Sequence, residues 1–337
     1  MNSELRYHQT LGEWVLIAPR RQDGKKKPNE FKKYLSIERK PSPLKTCPFE
    51  DENLKRSGNF PPYFWFPETK PLEKWSLQVL PNKFPALEKI SDCRIEKRGI
   101  YFVARGVGSH DLVITRNHFH SFGDLKNQEA EEVFLAFQKR FRQLALNKKI
   151  AYISIFCNWG PQAGASIFHP HYQIIGLPVI PHSVSRSLLI SKDYFRKNKR
   201  CIHCDVLKEE MKEKKRIVYE NKNYLAFVPF ASKEPFWVSV FPKKHQPFFE
   251  DLSQKDLKEA ALVVKKILAL IKRKLNDPDY NFFIHTAPLI EKKKHTHYHW
   301  HLEIVPKSNI SAGFELGTGI EINPVFPEEA ARFLKSK

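Results

Sequence analysis

The chain has 337 residues, of which 41% are hydrophobic and 13% aromatic; this is enough apolar material for a packed core and argues against an intrinsically disordered protein. Its 57 Lys and Arg against 37 Asp and Glu give a formal net charge of +20, which suggests an anionic partner such as phosphorylated small molecules, nucleic acid or a membrane surface. No apolar run approaches the ~20 residues of a membrane span, so a transmembrane protein is not expected.

The amino terminus and the cysteines indicate the compartment. Residues 1–22 lack the charged, apolar and small-residue regions of a secretory signal, so we expect a soluble, cytoplasmic protein with no membrane partner. The 5 cysteines are an odd number, which argues against a disulfide framework. The lysine clusters at 24–28 and 291–295 are typical of a solvated surface, and no nucleic-acid-binding motif accompanies them. A basic, zinc-containing nucleic-acid-binding protein is kept only as an outside alternative.

The first half of the chain combines strand-like and helical patterns around a histidine. His118 is followed by Phe122, Asp124 and Leu125 at offsets of four, six and seven residues. Asp124 precedes a helical pattern and is predicted to be its N-cap. In chain order the patterns are strand-like at 111–115, helical at 129–146, strand-like at 150–160 and strand-like with several histidines at 169–180.

The second half repeats this pattern with identical spacing. His245 is followed by Phe249, Asp251 and Leu252 at the same offsets of four, six and seven residues. Asp251 is likewise predicted to be a helix N-cap. The corresponding patterns are strand-like at 236–241, helical at 255–275, and strand-like at 280–287 and 297–306.

This internal repeat predicts an α+β fold of two duplicated units. Each unit would be a mostly antiparallel sheet with one long packed helix, because apolar residues recur every three or four positions between Leu257 and Leu268. The stretch 184–200 looks like a helical connector. We therefore divide the chain into residues 1–185 and residues 186–337.

Metal-ligand residues open the second half. Cys201 and Cys204 form a Cys-x-x-Cys motif, and His245 with His299 of the last histidine cluster would complete a Cys2His2 set, the composition of a structural zinc site. Two buried, reduced thiols are the alternative.

The first half would use Cys47, His118 and His169 in the same way. Its second cysteine is missing, and a carboxylate from Glu50 or Asp51 could replace it, because carboxylate oxygens also bind zinc. The second-half site is therefore expected to hold metal more firmly than the first.

The stretch "NWGPQAGASIFHPHYQ" carries the candidate chemistry. His171 lies two residues beyond His169, so it shares a strand face with that ligand but lies beyond the metal's reach. If one ring nitrogen bonds to a backbone carbonyl, the other is free to act as a nucleophile. Gly164 and Ser166 suit close approach by a phosphate, and the Gln173 amide could donate to a phosphoryl oxygen.

This segment, from Asn158 to Gln173, resembles the active-site segment of galactose-1-phosphate uridylyltransferases, a branch of the histidine-triad superfamily. The resemblance extends from "GEWVLIAPRRQ" near the start to "GFELGTGIEINPVFPEEAARFL" near the end, and the "GFELGTG" form also resembles ADP-glucose phosphorylases. The resemblance implies two histidine-triad-like units, structural zinc and a homodimer.

The family resemblance also implies a function in galactose and carbohydrate metabolism. His171 would take a nucleoside monophosphate from UDP-glucose and pass it to a hexose 1-phosphate in a ping-pong reaction. The alternative is adenylyl transfer, from ADP-glucose or a dinucleoside polyphosphate, with inorganic phosphate as acceptor. The resemblance assigns catalytic roles to His171, Gln173 and Ser166, and substrate contacts to Arg21, Asn82, Asn158, Gly164, Phe314 and Glu315.

Overall fold

The computed structural model describes residues 2–19, 41–56, 61–89, 94–308 and 311–336. Within these ranges the strands are β1 (Glu4–His8), β2 (Glu13–Ile17), β3 (Phe64–Phe66), β4 (Leu77–Pro81), β5 (Glu88–Lys89), β6 (Glu96–Arg98), β7 (Tyr101–Val103), β8 (Val107–Thr115), β9 (Tyr152–Trp159), β10 (His171–Leu177), β11 (Ile217–Glu220), β12 (Tyr224–Phe227), β13 (Val238–Pro242), β14 (Tyr280–His285), β15 (His301–Pro306) and β16 (Glu321–Asn323). The α-helices are α1 (Asp51–Arg56), α2 (Asn127–Ala145), α3 (His182–Asn198), α4 (Ile202–Glu213), α5 (Gln254–Leu275), α6 (Gly313–Thr318) and α7 (Pro327–Lys335).

One large sheet joins the two halves of the chain. In the described part its order is β11-β12-β13-β15-β14-β9-β10-β8-β4-β3, with β5 beside β8. The first-half order β3-β4-β8-β10-β9 is repeated in the second half by β11-β12-β13-β15-β14, and the halves meet where β9 pairs with β14 antiparallel. The predicted duplicated α+β architecture is confirmed.

The two long helices cover one face of this sheet. Along α5 the apolar residues at helical spacing are buried, including Leu257, Val264 and Leu268, because they pack on the sheet and on α2. From the sheet, alternate residues such as Tyr172 and Phe282 enter the same core. The other face of the sheet carries polar side chains beside a smaller apolar cluster that includes Leu80, Leu112 and Ile114.

The helix N-cap predictions for Asp124 and Asp251 are wrong. Each aspartate ends a one-turn 3-10 helix, and the N-cap positions lie two residues further on, at Lys126 and Ser253. The Asp124 carboxylate instead accepts a hydrogen bond from Lys272 Nζ at 2.7 Å. The extra turn thus uses the aspartate to link the first half to the long helix of the second.

Smaller elements complete the fold. Strands β1, β2 and β16 form a three-stranded sheet, with β16 parallel to β2. The predicted connector at 184–200 is largely helical, as α3. Across the described ranges no helix has both the length and the apolar composition that crossing a bilayer would require.

Candidate active site

Polar side chains gather on the sheet face that the long helices leave open. Because strand residues alternate between faces, His171 and Gln173 point here while Tyr172 between them is in the core. Strands β10 and β9 are antiparallel, and Tyr172 on β10 pairs with Cys157 on β9. Continuing this register by one residue places His171 across from Asn158. The predicted residues that share this face are Asn82, Asn158, His171 and Gln173.

His171 has the geometry predicted for a nucleophile. Its Nδ1 lies 2.9 Å from the backbone oxygen of His169, and because a carbonyl only accepts, Nδ1 carries the proton and Nε2 keeps its lone pair. The side chain is 7% exposed, and burial lowers the pKa of His171 below its ordinary value. The imidazole is therefore neutral at neutral pH. The Phe49 ring packs edge-on against it at 5.4 Å between centroids.

Gln173 is oriented by His110, a residue to which the sequence analysis assigned no role. The backbone N–H of Ala86 donates to His110 Nδ1 at 3.1 Å, which puts the imidazole proton on Nε2. That Nε2 lies 2.8 Å from Gln173 Oε1 and donates to it. The Gln173 NH2 group is thereby turned away from His110. Leu112 on β8 pairs with Gln173, and His110 lies two residues before Leu112, so strand alternation puts His110 on the same face as Gln173. This alternation was the sequence signal that could have identified His110.

Asn82 is oriented by a backbone group in the same way. Its Oδ1 accepts a hydrogen bond from the Phe84 N–H at 3.0 Å. Its Nδ2 lies 3.1 Å from His110 Nε2, which is itself a donor in the tautomer that Ala86 selects. The Asn82 NH2 group is therefore not satisfied by His110 and can donate to a ligand.

The glycine-rich loop before His169 has a backbone that requires glycine. Gly160 has φ +84° and Gly164 has φ +86°, a left-handed region that side chains disfavour. An added Cβ at Gly160 would lie 2.0 Å from the Asp279 carboxylate, which accepts a hydrogen bond from the Gln162 N–H. Ser166 is exposed at the end of this loop. The backbone N–H groups of residues 162–165 are used within the protein, so the exposed Ser166 hydroxyl is the polar group that this loop leaves for a ligand.

The first-half metal candidates come together. Cys47, Glu50, His118 and His169 each direct one ligand atom into a cluster in which those atoms lie within 4.8 Å of one another. Cys47 Sγ is 3.5 Å from His169 Nδ1, and Glu50 Oε1 is 3.0 Å from His118 Nδ1. The other candidate carboxylate, Asp51, is engaged elsewhere by Trp75 and Arg116.

The tautomers in this cluster fit a cation. His169 Nε2 donates to the backbone carbonyl oxygen of Thr115 at 2.6 Å, and His118 Nε2 donates to the backbone carbonyl oxygen of Ser42 at 2.9 Å. Both Nδ1 atoms therefore carry lone pairs in the neutral rings, and they lie only 3.2 Å apart. A metal ion between them would satisfy both lone pairs.

The second-half candidates form an equivalent cluster. The ligand atoms of Cys201, Cys204, His245 and His299 also lie within 4.8 Å of one another. Cys204 Sγ is 3.4 Å from His245 Nδ1 and 3.5 Å from His299 Nδ1, and His245 Nε2 donates to the Thr296 oxygen at 2.8 Å. Hydrogen bonds lower the pKa of Cys201 and favour its thiolate; the bond from Cys204 contributes most, and those from His245 and His299 contribute less.

The second half also contains a counterpart of His171, with different surroundings. His301 Nδ1 donates to the His299 oxygen at 3.0 Å, but its Nε2 faces Glu303 Oε1 at 3.6 Å. Glu303 Oε2 is 3.3 Å from His285 Nε2. Burial would raise the pKa of Glu303, but the charges and hydrogen bonds of His285 and His301 outweigh it and lower that pKa. Glu303 occupies the position that corresponds to Gln173 in the first half. The second half therefore has a carboxylate, which repels a phosphate, where the first half has a neutral amide donor.

The remaining predicted substrate contacts are Arg21, Phe314 and Glu315. Arg21 lies outside the described residues. Phe314 and Glu315 lie on α6, where Glu315 accepts the Ala312 N–H at 3.0 Å. Among the described residues no hydrogen bond or ring contact joins Phe314 or Glu315 to His171 or Gln173, and their substrate role stays a prediction.

Comparisons with known proteins agree with this geometry. The family models described as galactose-1-phosphate uridyl transferase, N-terminal domain, and galactose-1-phosphate uridyl transferase, C-terminal domain, match residues 1–181 and 188–335. The ADP-glucose phosphorylase of Arabidopsis thaliana is 34% identical over 98% of this chain and 92% of its own. The galactose-1-phosphate uridylyltransferase of Thermotoga maritima is 29% identical over 98% of each chain.

Solved structures match over the full length as well. The crystal structure of the Arabidopsis thaliana ADP-glucose phosphorylase with bound ADP-glucose has a TM-score of 0.82 and 31% identity, covering 100% of this chain and 99% of that one. A uridylyltransferase structure has a TM-score of 0.73 and 27% identity, covering 98% and 97%. The duplicated fold and its relatives define a nucleotidyltransferase built from two similar α+β units. The chain belongs to the galactose-1-phosphate uridylyltransferase family, which confirms the resemblance noted in the sequence.

Proposed function

We propose that the protein transfers a nucleoside monophosphate from a nucleotide sugar to a phosphate acceptor through a nucleotidyl-His171 intermediate. The observation that carries this proposal is the state of the His171 ring. Its Nδ1 is committed to the His169 carbonyl, and its Nε2 has no partner among the described residues, although the side chain is almost fully buried. An unpartnered lone pair on a neutral, largely buried imidazole suits nucleophilic attack.

The chemistry balances on this one nitrogen. The Nε2 lone pair forms a bond to the α-phosphorus while the bond from that phosphorus to the sugar-phosphate oxygen breaks, and the leaving sugar 1-phosphate takes the electron pair. The positive charge that develops on His171 is stabilised by the Nδ1–H bond to the His169 oxygen. In the second step an acceptor phosphate oxygen attacks phosphorus, and Nε2 recovers its lone pair.

Neutral donors would stabilise the charge on the transferred group. The Gln173 NH2 group, with its oxygen held by His110, would donate to phosphoryl oxygens, and the Asn158 amide and Ser166 hydroxyl would hold the phosphates. Gly164 would allow the phosphates to approach the backbone. Asn82 would contact the nucleoside end.

We assign zinc to both four-residue clusters, in a structural role. Zinc fits the thiolate, imidazole and carboxylate donors of Cys47, Glu50, His118 and His169, and it fits the second cluster, whose two cysteines make it the tighter site. When bound, the ion would fix the position of His169, whose backbone oxygen holds His171.

Two donor–acceptor pairs are candidates. The first is UDP-glucose with galactose 1-phosphate or another hexose 1-phosphate, as the names of the uridylyltransferase relatives suggest. The second is ADP-glucose with inorganic phosphate. It is favoured by the higher identity to the Arabidopsis thaliana phosphorylase, 34% against 29% for the Thermotoga maritima enzyme, and by the ADP-glucose in a structure with TM-score 0.82.

The remaining predictions belong to the same proposal. The chain would act as a homodimer in the cytoplasm, in carbohydrate metabolism, with catalysis in residues 1–185 and the second zinc site in residues 186–337. Arg21 would contact a phosphate, while Phe314 and Glu315 would meet the hexose. Nucleic-acid binding is not part of the proposal.

Isotope exchange tests the ping-pong reaction. The protein would be mixed with UDP-glucose or ADP-glucose and labelled glucose 1-phosphate, with no second acceptor. Because the first step is reversible, label should enter the matching nucleotide sugar in the wild type and not in His171→Ala. Absence of exchange with both donors, from a folded and metal-loaded protein, would overturn the proposal.

A further inference from the structure

We propose that Asn281, on strand β14 of the second half, is a positioning residue that orients the Asn158 amide with its NH2 group toward the transferred phosphoryl group. The two asparagines are directly opposite each other where β9 and β14 join the halves. The proposal rests on the proposed function, because that function makes Asn158 a phosphate donor.

A backbone carbonyl decides the orientation of both amides. The Ala163 oxygen can only accept, so the Asn281 atom 2.9 Å from it must be the nitrogen Nδ2. The same Nδ2 lies 2.8 Å from the side chain of Asn158, and a donor there requires the Asn158 oxygen, Oδ1. The Asn281 NH2 group thus uses one hydrogen on the loop and the other on Asn158.

The Asn158 NH2 group is left for a ligand. Within the described part of the chain, Asn158 Nδ2 has no hydrogen-bond acceptor. It lies beside the glycine-rich loop, 3.8 Å from where a Cβ on Gly164 would be. It also lies on the strand position across from His171. A nitrogen donor in this position serves a phosphoryl oxygen, whereas a reversed amide would present an oxygen and repel it.

The residue just before strand β14 supports the loop at a second point. Asp279, two residues before Asn281, accepts the Gln162 N–H at 2.7 Å. Strand β14 therefore holds both the loop and the amide donor of the first-half site. This gives the second half a direct part in catalysis that does not depend on its zinc cluster.

Asn281→Asp is the most direct test. The introduced carboxylate cannot donate to the Ala163 oxygen, and the Asn158 amide would turn its NH2 group toward that carboxylate and its oxygen toward the phosphate. We expect the maximal exchange rate to fall by about 10- to 100-fold, with a smaller change in KM, because the donor acts mainly in the transition state. Asn281→Ser, which removes the amide without adding charge, should give a smaller loss of rate in the same direction.

A double-mutant cycle separates positioning from a structural role. Asn158→Ala removes the donor, so adding Asn281→Asp to it should cause little further loss of exchange rate. Asn198→Asp is the matched control, since Asn198 Nδ2 also bonds a backbone carbonyl, that of Tyr194, but on an exposed helix. It should leave exchange at the wild-type rate.

The outcomes distinguish this inference from the proposed function. No exchange in the wild type would overturn the proposed function itself. Wild-type exchange with an unchanged rate in Asn281→Asp and Asn281→Ser would overturn only the positioning role. Losses that multiply in the double variant, together with a fall in melting temperature of the same rank order, would show a structural role and also overturn it.

Discussion

His171 and His301 are held by the same bond in the two halves of the molecule. Each imidazole donates its Nδ1–H to the backbone oxygen two residues earlier, at 2.9 Å and 3.0 Å. The groups around Nε2 differ, because Gln173 offers an amide in the first half whereas Glu303 presents a carboxylate in the second. The duplication therefore supplies two copies of the scaffold and one centre suited to phosphoryl transfer.

This difference predicts unequal effects of histidine substitution. His171→Ala should lower nucleotide-sugar exchange by about 10⁴-fold or more, as expected for loss of a nucleophile. His301→Gln, the matched control, should retain exchange because its position contacts no reacting group. The measurement is exchange rate beside melting temperature. Equal loss in two folded variants would contradict the assignment.

His110 is predicted to act through Gln173. His110→Phe removes the donor to Gln173 Oε1 and leaves the amide free to rotate. The maximal exchange rate should fall about 10-fold, because the net free energy of one buried hydrogen bond is about 1 kcal/mol. His120, an exposed histidine, provides the control, and His120→Phe should retain the wild-type rate. The effect of His110→Phe should disappear in a Gln173→Ala background. A full additional loss there would count against the positioning role.

Metal content should follow the two clusters separately. Cys204→Ala and Glu50→Ala should each reduce bound zinc, measured by elemental analysis, and a chelator should empty the Glu50 cluster first because it has one thiolate fewer. Loss of the second-half site should lower the free energy of unfolding by on the order of 4 kcal/mol. Cys157, a buried core thiol, provides the control, and Cys157→Ala should leave zinc unchanged. Unaltered zinc in both cluster variants would rule these ligands out.

The ion pair between Asp124 and Lys272 should make stability depend on pH. Burial alone would raise the pKa of Asp124, but hydrogen bonds from Lys272 and Ser121 outweigh it, and the folded-state pKa is lowered. The stabilisation is therefore present above the unfolded-state pKa of about 4 and is lost as the pH falls through the lower folded-state value. Asp124→Asn should cost about 1 kcal/mol or less at pH 7, since both side chains are partly exposed.

Denaturation of this variant at several pH values provides the check. The difference from wild type should shrink as the pH falls below about 4. Asp193→Asn, which removes a partner from the exposed pair with Arg196 at 4.0 Å, should show almost no difference at any pH. A cost that grows in acid would contradict the assigned pKa direction.

The repeat made the fold accessible from sequence. Matching offsets after His118 and His245 predicted two equivalent units, and the spacing of His169 and His171 predicted one ligand and one nucleophile. Both predictions depend on local periodicity, which a sequence displays directly. The joining of both units into one sheet depends on pairing between β9 and β14, which are more than 100 residues apart. No local pattern specifies that contact.

The supporting residues were missed for the same reason. His110 and Asn281 act through hydrogen bonds to Gln173 and Asn158 on neighbouring strands, and a single histidine or asparagine in a strand gives no sign of such a partner. The N-cap error at Asp124 has a local cause, because a short 3-10 turn lies between the aspartate and the helix. The residue at which such a helix begins is known only from the structure, because the sequence does not show the extra turn.

Detection of a covalent intermediate tests whether His171 is the nucleophile. The wild-type protein would be incubated without acceptor with UDP-glucose or ADP-glucose, quenched in alkali to preserve a phosphorus–nitrogen bond, and mapped by mass spectrometry. We expect a uridylyl or adenylyl group on the peptide containing His171, and none on that peptide in His171→Ala. A nucleotidyl group on any other residue, or none with either donor in a protein that still turns over nucleotide sugar, would contradict this role of His171.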